Sequence, residues 1–169
     1  VPERVLTNTY FDKMLGEDVS TWLSETARID ERHWAAEDES AADLAVAAAQ
    51  QALEKAEIGA EQLDLIIIAT DTPEYISPST ASVVQHRLGA SKAGSFDLNA
   101  ACAGFVTGMD IAATYLQGKQ EYRYILVVGV YVMSKYLNLQ DKKTVTLFAD
   151  GAAAMIFGVS EEGVGFRSS

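Results

Sequence analysis

The sequence predicts an α/β sandwich, and three observations carry that expectation. Leu63–Thr70 (LDLIIIAT) is an isoleucine-rich apolar run too short for a helix of its own, and Tyr122–Val132 (YRYILVVGVYV) is a second buried strand of the same kind. Ser40–Glu57 and Ser79–Leu88 place apolar residues at helical spacing. These strand-like and helix-like segments alternate, the order that buries a parallel sheet between helical layers.

The elements follow in order. Val1–Asp38 is irregular, and its start, VPERVLTN, reads as the exit of a strand. Ser40–Glu57 is alanine-rich with Leu44, Ala48 and Leu53 along it; Ser40 is a candidate cap with Asp43 three residues on, and Ile58–Gly59 end the helix. The strand Leu63–Thr70 is followed by a helix opened by Pro78 and Ser79 and closed by Gly89. Gly94–Ala100 (GSFDLNA) is a short strand leading into Cys102 and a helix from Ala103 to Gln117. After the strand Tyr122–Val132, Thr144–Gly158 reads as a strand or hairpin arm, and Gly163–Ser169 as the beginning of another segment.

Length and composition bound the function. A chain of 169 residues, 49% hydrophobic, is long enough for one domain that buries roughly 70% of its unfolded surface. A net charge of −11 without a lysine or arginine stripe argues against nucleic acid as a partner. One cysteine forms no internal disulfide, and no charged-then-apolar leader or apolar run near 18 residues stands out. The expectation is a cytoplasmic protein without a membrane partner or a metal.

Cys102 lies among Ala100, Ala101, Ala103 and Gly104 at a strand-to-helix junction. A free cysteine in such company fits two roles. It fills core space as a small hydrophobe, or it is a nucleophile whose thiolate is favoured by the helix N-terminus and whose own N–H helps to hold an oxyanion.

The segment AACAGF resembles the active-site segment of the β-ketoacyl-[acyl-carrier-protein] synthase III family, of the thiolase-like superfamily. VPERVLTN, ARIDER, PSTASVVQHRLGA and FADGAAA resemble further family segments in the same order, so the likeness runs through essentially the whole sequence. It implies the N-terminal half of a thiolase-like fold, one domain over residues 1–169: a mixed five-stranded sheet, mostly parallel with its last strand antiparallel, between helices, the first strand partial or missing.

The resemblance also implies a reaction. Cys102 takes an acyl group from acyl-CoA, and malonyl-ACP is then decarboxylated so that its carbanion attacks the acyl-enzyme. The substrates carry the activation, so no cofactor is implied. The histidine and asparagine that assist decarboxylation belong to the family's second half, outside this sequence; an isolated chain is then expected to transfer acyl groups weakly and not to condense them. His33 and His86 match no family motif and read as structural.

Trp22 matches the tryptophan that stacks on the adenine of coenzyme A, Thr26 stands where the family often has an arginine, and Lys142 matches a basic residue near the nucleotide, with Lys143 beside it in place of a glycine. A threonine cannot reproduce a bidentate guanidinium contact, which leaves a carrier-protein-bound donor open. Met133 and Phe148 match positions lining the acyl pocket, and Ser77 stands where some relatives carry a chain-length-limiting phenylalanine, which suggests a roomier pocket. Asp150 is a turn residue bonding its own backbone or an electrostatic one. The family pairs into homodimers through the strand near Phe96. Two other readings remain beside the condensing enzyme: an acyltransferase without condensation, and a non-catalytic pairing subunit or fragment.

Overall fold

A computed structural model describes residues 1–118, 121–160 and 165. In chain order its elements are β1 (Val5–Thr7), α1 (Asn8–Leu15), the short α2 (Ser20–Trp22) running into a π-helical turn (Leu23–Ala27), β2 (Glu31–His33), α3 (Ala41–Ala56), β3 (Leu65–Ala69), α4 (Thr80–Leu88), β4 (Gly94–Leu98), α5 (Gly104–Gly118), β5 (Tyr124–Val132), α6 (Lys142–Val145) and β6 (Asp150–Gly158). The chain divides into two compact units, Val1–Ser40 with Tyr131–Gly151, and Ala41–Val130 with Ala152–Ser169.

In the first unit β1 and β2 pair antiparallel, Leu6 opposite Arg32. Helix α1 stops at Gly16, which turns left-handed at φ 73° and donates its N–H to Asp12 O; glycine adopts this conformation without a Cβ penalty. The buried face of α1 presents Phe11 to a core of Leu6, Trp34 and Val145, with the Phe11 and Trp34 rings meeting edge to face at 5.6 Å. Arg32 is buried in this unit with its guanidinium 4.5 Å above the Phe11 ring. Asn8 serves it: Oδ1 accepts from Arg32 Nη1 at 2.9 Å, while Nδ2 donates to Ile29 O at 2.7 Å and Ser24 Oγ at 3.1 Å.

The second unit holds the main sheet, in the order β4, β3, β5, β6. β3 pairs parallel with both β4 and β5. β6 runs the other way, since Gly158 at its end lies against Tyr124 at the start of β5. All five residues of β3 are buried. Leu65 and Ile67 join Ile125, Val127 and Ala112 of α5 in one cluster, while Ile66 and Ile68, directed to the opposite face by the strand's two-residue period, are equally buried. The central strands β3 and β5 are therefore covered on both faces, which is why they read as unbroken apolar runs rather than alternating ones. Helix α4 packs on β3, β4 and α3, and Asp97 of β4 accepts from Thr80 N at 2.8 Å and Ala81 N at 2.7 Å at its N-terminus.

The expected α/β order holds, with two corrections to element bounds. The main sheet has four strands among the described residues, and β1 pairs with β2 in a separate ribbon, in keeping with the expected sheet whose first strand is partial or missing. Thr144–Ala149 is not strand, because the Asp141 side chain accepts from Lys143 N and Thr144 Oγ1 and starts the helical turn α6; the strand begins at Asp150. The helix expected from Ala103 starts at Gly104, behind a 3₁₀ turn. The reading of Gly163–Ser169 lies, Gly165 apart, outside the described residues.

Candidate active site

Cys102 stands on a sharp turn between β4 and α5. Asn99 Oδ1 accepts from Ala101 N at 3.4 Å, Ala101 adopts φ 45°, and Ala103 N donates to Ala100 O at 3.1 Å, closing the 3₁₀ turn Ala101–Ala103. A non-glycine residue in the left-handed region costs on the order of 1–3 kcal/mol and persists only where its surroundings impose it. Here the surroundings are two close approaches by α5. A Cβ on Gly104 would lie 3.1 Å from Ala69 Cβ, and one on Gly108 only 2.9 Å from Val127 Cγ1. The two glycines let the helix sit down on β3 and β5 and so set the height of the turn that carries the cysteine. Cys102 itself is a free, exposed thiol, so the core-filler reading does not hold.

In the first unit, Trp22 and Lys142 lie together. With Glu17, Asp18, Val19, Lys143 and Thr146 they line a cavity of about 380 Å³. The indole is 51% exposed, open to a flat ligand. Lys142 Nζ is paired with Glu17 Oε2 at 2.7 Å. Asp18 is occupied by its own helix, its carboxylate accepting from Thr21 N at 3.1 Å and Thr21 Oγ1 at 2.8 Å. Thr26 lies exposed on the π-helical turn and does not line the cavity. Asp18 and Val19 were missed although they precede Trp22 by about one helical turn. Glu17 had no local signal, because its partner is 125 residues away.

The three acyl-pocket candidates are placed differently. Ser77 is exposed, in the second unit, and precedes a cis proline, Pro78. Met133 is half-buried on the turn after β5; Phe148 is half-buried with its ring 6.2 Å from Tyr131 and its carbonyl accepting from Trp34 Nε1. Asp150 is buried and does more than bond its own turn: it accepts from Ala35 N at 2.7 Å, from Ser134 N at 2.9 Å and from Ser134 Oγ. His33 is bonded through Nδ1 to Pro2 O at 2.6 Å, and His86 lies exposed in the last turn of α4.

Among the described residues no group of three or more histidine, cysteine, aspartate or glutamate side chains is placed to hold a metal, and no helix is long and apolar enough to cross a membrane.

An α/β sheet of this order with a cysteine at the end of β4 is the thiolase-like arrangement, and solved structures share it. The chain superposes on 3-oxoacyl-[acyl-carrier-protein] synthase III of Aquifex aeolicus with a TM-score of 0.91 at 38% identity, covering 96% of this chain and 52% of that one. The Thermus thermophilus synthase III gives 0.91 at 39% identity over 99% of this chain and 51% of that one. A curated relative, β-ketoacyl-[acyl-carrier-protein] synthase III of Staphylococcus saprophyticus, is 43% identical over 167 residues, 99% of this chain and 53% of the relative. A family model described as 3-oxoacyl-[acyl-carrier-protein (ACP)] synthase III matches residues 96–169. Along nearly all of its own length the chain is similar to β-ketoacyl-[acyl-carrier-protein] synthases III, and it spans about half the length of the curated relatives it matches.

Proposed function

We propose that this chain carries the acyl-accepting part of a decarboxylating condensing enzyme, with Cys102 as nucleophile. The observation that carries the reading is the exposed thiol on the strained turn at the N-terminus of α5. The small neighbours Ala101, Ala103 and Gly104 leave the sulfur open to a carbonyl.

Cys102 Sγ attacks the thioester carbonyl of acyl-CoA. The tetrahedral oxyanion is met by the N–H of Cys102 itself and collapses with loss of coenzyme A thiol, leaving an S-acyl cysteine. A malonyl thioester on an acyl carrier protein then loses CO₂. The resulting carbanion attacks the acyl carbonyl, a C–C bond forms, the C–S bond breaks, and the Cys102 thiolate returns. The thioesters and the loss of CO₂ supply the driving force, so this chemistry invokes no cofactor.

The cavity beside Trp22 and Lys142 suits the donor's nucleotide: an exposed indole for the adenine face and ammonium groups for phosphate. Thr26 takes no part in this reading, being outside the cavity. We keep Met133 and Phe148 as acyl-pocket candidates on the strength of the resemblance. His33 and His86 are not assigned to the decarboxylation step, since one is tied to a backbone carbonyl and the other sits on a helix end.

A homodimer paired through β4 is the assembly we favour. β4 is an edge strand with Phe96 half-buried, and pairing with a second copy would satisfy that edge. Intact-mass measurement after incubation with acetyl-CoA, in the wild type and in Cys102→Ala, tests the nucleophile, and a sedimentation measurement tests the dimer.

A further inference from the structure

The cavity beside Trp22 carries its own anion. Of its two acids, Asp18 is committed to Thr21 of its own helix, whereas Glu17 reaches across to Lys142. That pair is half open to water, the Lys142 and Glu17 side chains being 54% and 46% exposed. An exposed pair of this kind is worth about a factor of five or less in an equilibrium. It forms when nothing better is present and gives way to a stronger anion.

Resting on the reading of this cavity as the donor's nucleotide site, we propose that Glu17 is an intramolecular competitor for Lys142, displaced by a phosphate group of the acyl-CoA donor. The nucleotide's phosphomonoester carries more charge than a carboxylate, and its diphosphate presents two adjacent charges, so either takes the ammonium. The displaced carboxylate remains tethered a few bonds away and repels the phosphate, which lowers donor affinity.

This suits the order of the reaction. Acyl transfer releases free coenzyme A, and that product must depart before a carrier-protein substrate is engaged. Glu17 recapturing Lys142 favours the departure. The residue therefore sets how long a phosphate-bearing ligand stays and is indifferent to a neutral one.

The experiment is calorimetric titration of coenzyme A into the wild type, Glu17→Gln, Lys142→Gln and the double variant, with Trp22→Ala as control and circular dichroism to check folding. Glu17→Gln is expected to bind coenzyme A about three- to tenfold more tightly at low salt, with a smaller gain at high salt and a smaller gain when Lys142 is also replaced. If Trp22→Ala loses affinity but Glu17→Gln matches the wild type, the competitor is overturned while the nucleotide cavity stands. A gain undiminished by removing Lys142 also overturns it, since general repulsion then explains the effect. If coenzyme A binds none of the proteins, the competitor and the reading of the cavity fall together.

Discussion

Gly108 of α5 lies so close to Val127 of β5 that a Cβ added to it would stand 2.9 Å from Val127 Cγ1. Alanine is a better helix former than glycine by about 1 kcal/mol, but the added methyl has nowhere to go, because the β-branched Val127 is itself fully buried. Overpacking of this kind costs about 1–3 kcal/mol. Gly108→Ala is therefore expected to lower the urea midpoint despite its helix propensity, and to slow acylation of Cys102 by lifting the N-terminal end of α5 from the sheet.

Asp97 links β4 to α4 by accepting from Thr80 N and Ala81 N. Replacing a capping carboxylate with alanine costs about 1–2 kcal/mol. Asp97→Ala is expected to lose that much in a denaturant titration, and Asp97→Asn less, since its amide oxygen still accepts one bond.

Among the described residues the buried Arg32 has no carboxylate as a hydrogen-bond partner, and its Nε and Nη2 have none at all. Burial alone holds its pKa below the usual guanidinium range. Asn8→Ala removes the acceptor of a hydrogen bond from a buried charge, a change that costs about 1.5–3 kcal/mol. Arg32→Met removes the charge as well and fills similar volume. It is expected to be the milder change in thermal unfolding, an order that reverses if Asn8 acts only by packing.

Acid should loosen the first unit at two capping carboxylates. Bonds from Ser20 Oγ and from Val19 N hold the Asp12 carboxyl below the usual carboxylate range, and bonds from Thr144 Oγ1 and Lys143 N do the same for Asp141. A pKa lower in the folded than in the unfolded chain gives stability that is fully present above the unfolded value, near pH 4, and lost as pH falls through the folded one. Unfolding midpoints measured between pH 6 and pH 3 should fall at the acid end, and Asp12→Asn should flatten the decline.

What the sequence made legible was local. Helix α4 could be bounded from Ser79, which caps it by accepting from Ser82 N, and from Gly89, which ends it at φ 74°. β3 and β5 were legible because a strand buried on both faces must be apolar throughout. Thr144–Ala149 misled because its β-branched residues suggest a strand, while the decisive bonds come from Asp141 just before it. The site was half legible. Cys102, Trp22 and Lys142 stood out by residue type and by resemblance, whereas the exposure of the thiol and the grip of Glu17 on Lys142 depend on contacts that only the folded chain creates.

The central claim is that Cys102 accepts an acyl group from a thioester. Intact-mass spectrometry after incubation with acetyl-CoA tests it most directly. The expected result is one added acyl group on the wild type, absent from Cys102→Ala and removed by hydroxylamine. A wild type that stays unmodified with acetyl-CoA and with longer acyl-CoA donors, or an adduct that survives Cys102→Ala, would contradict it.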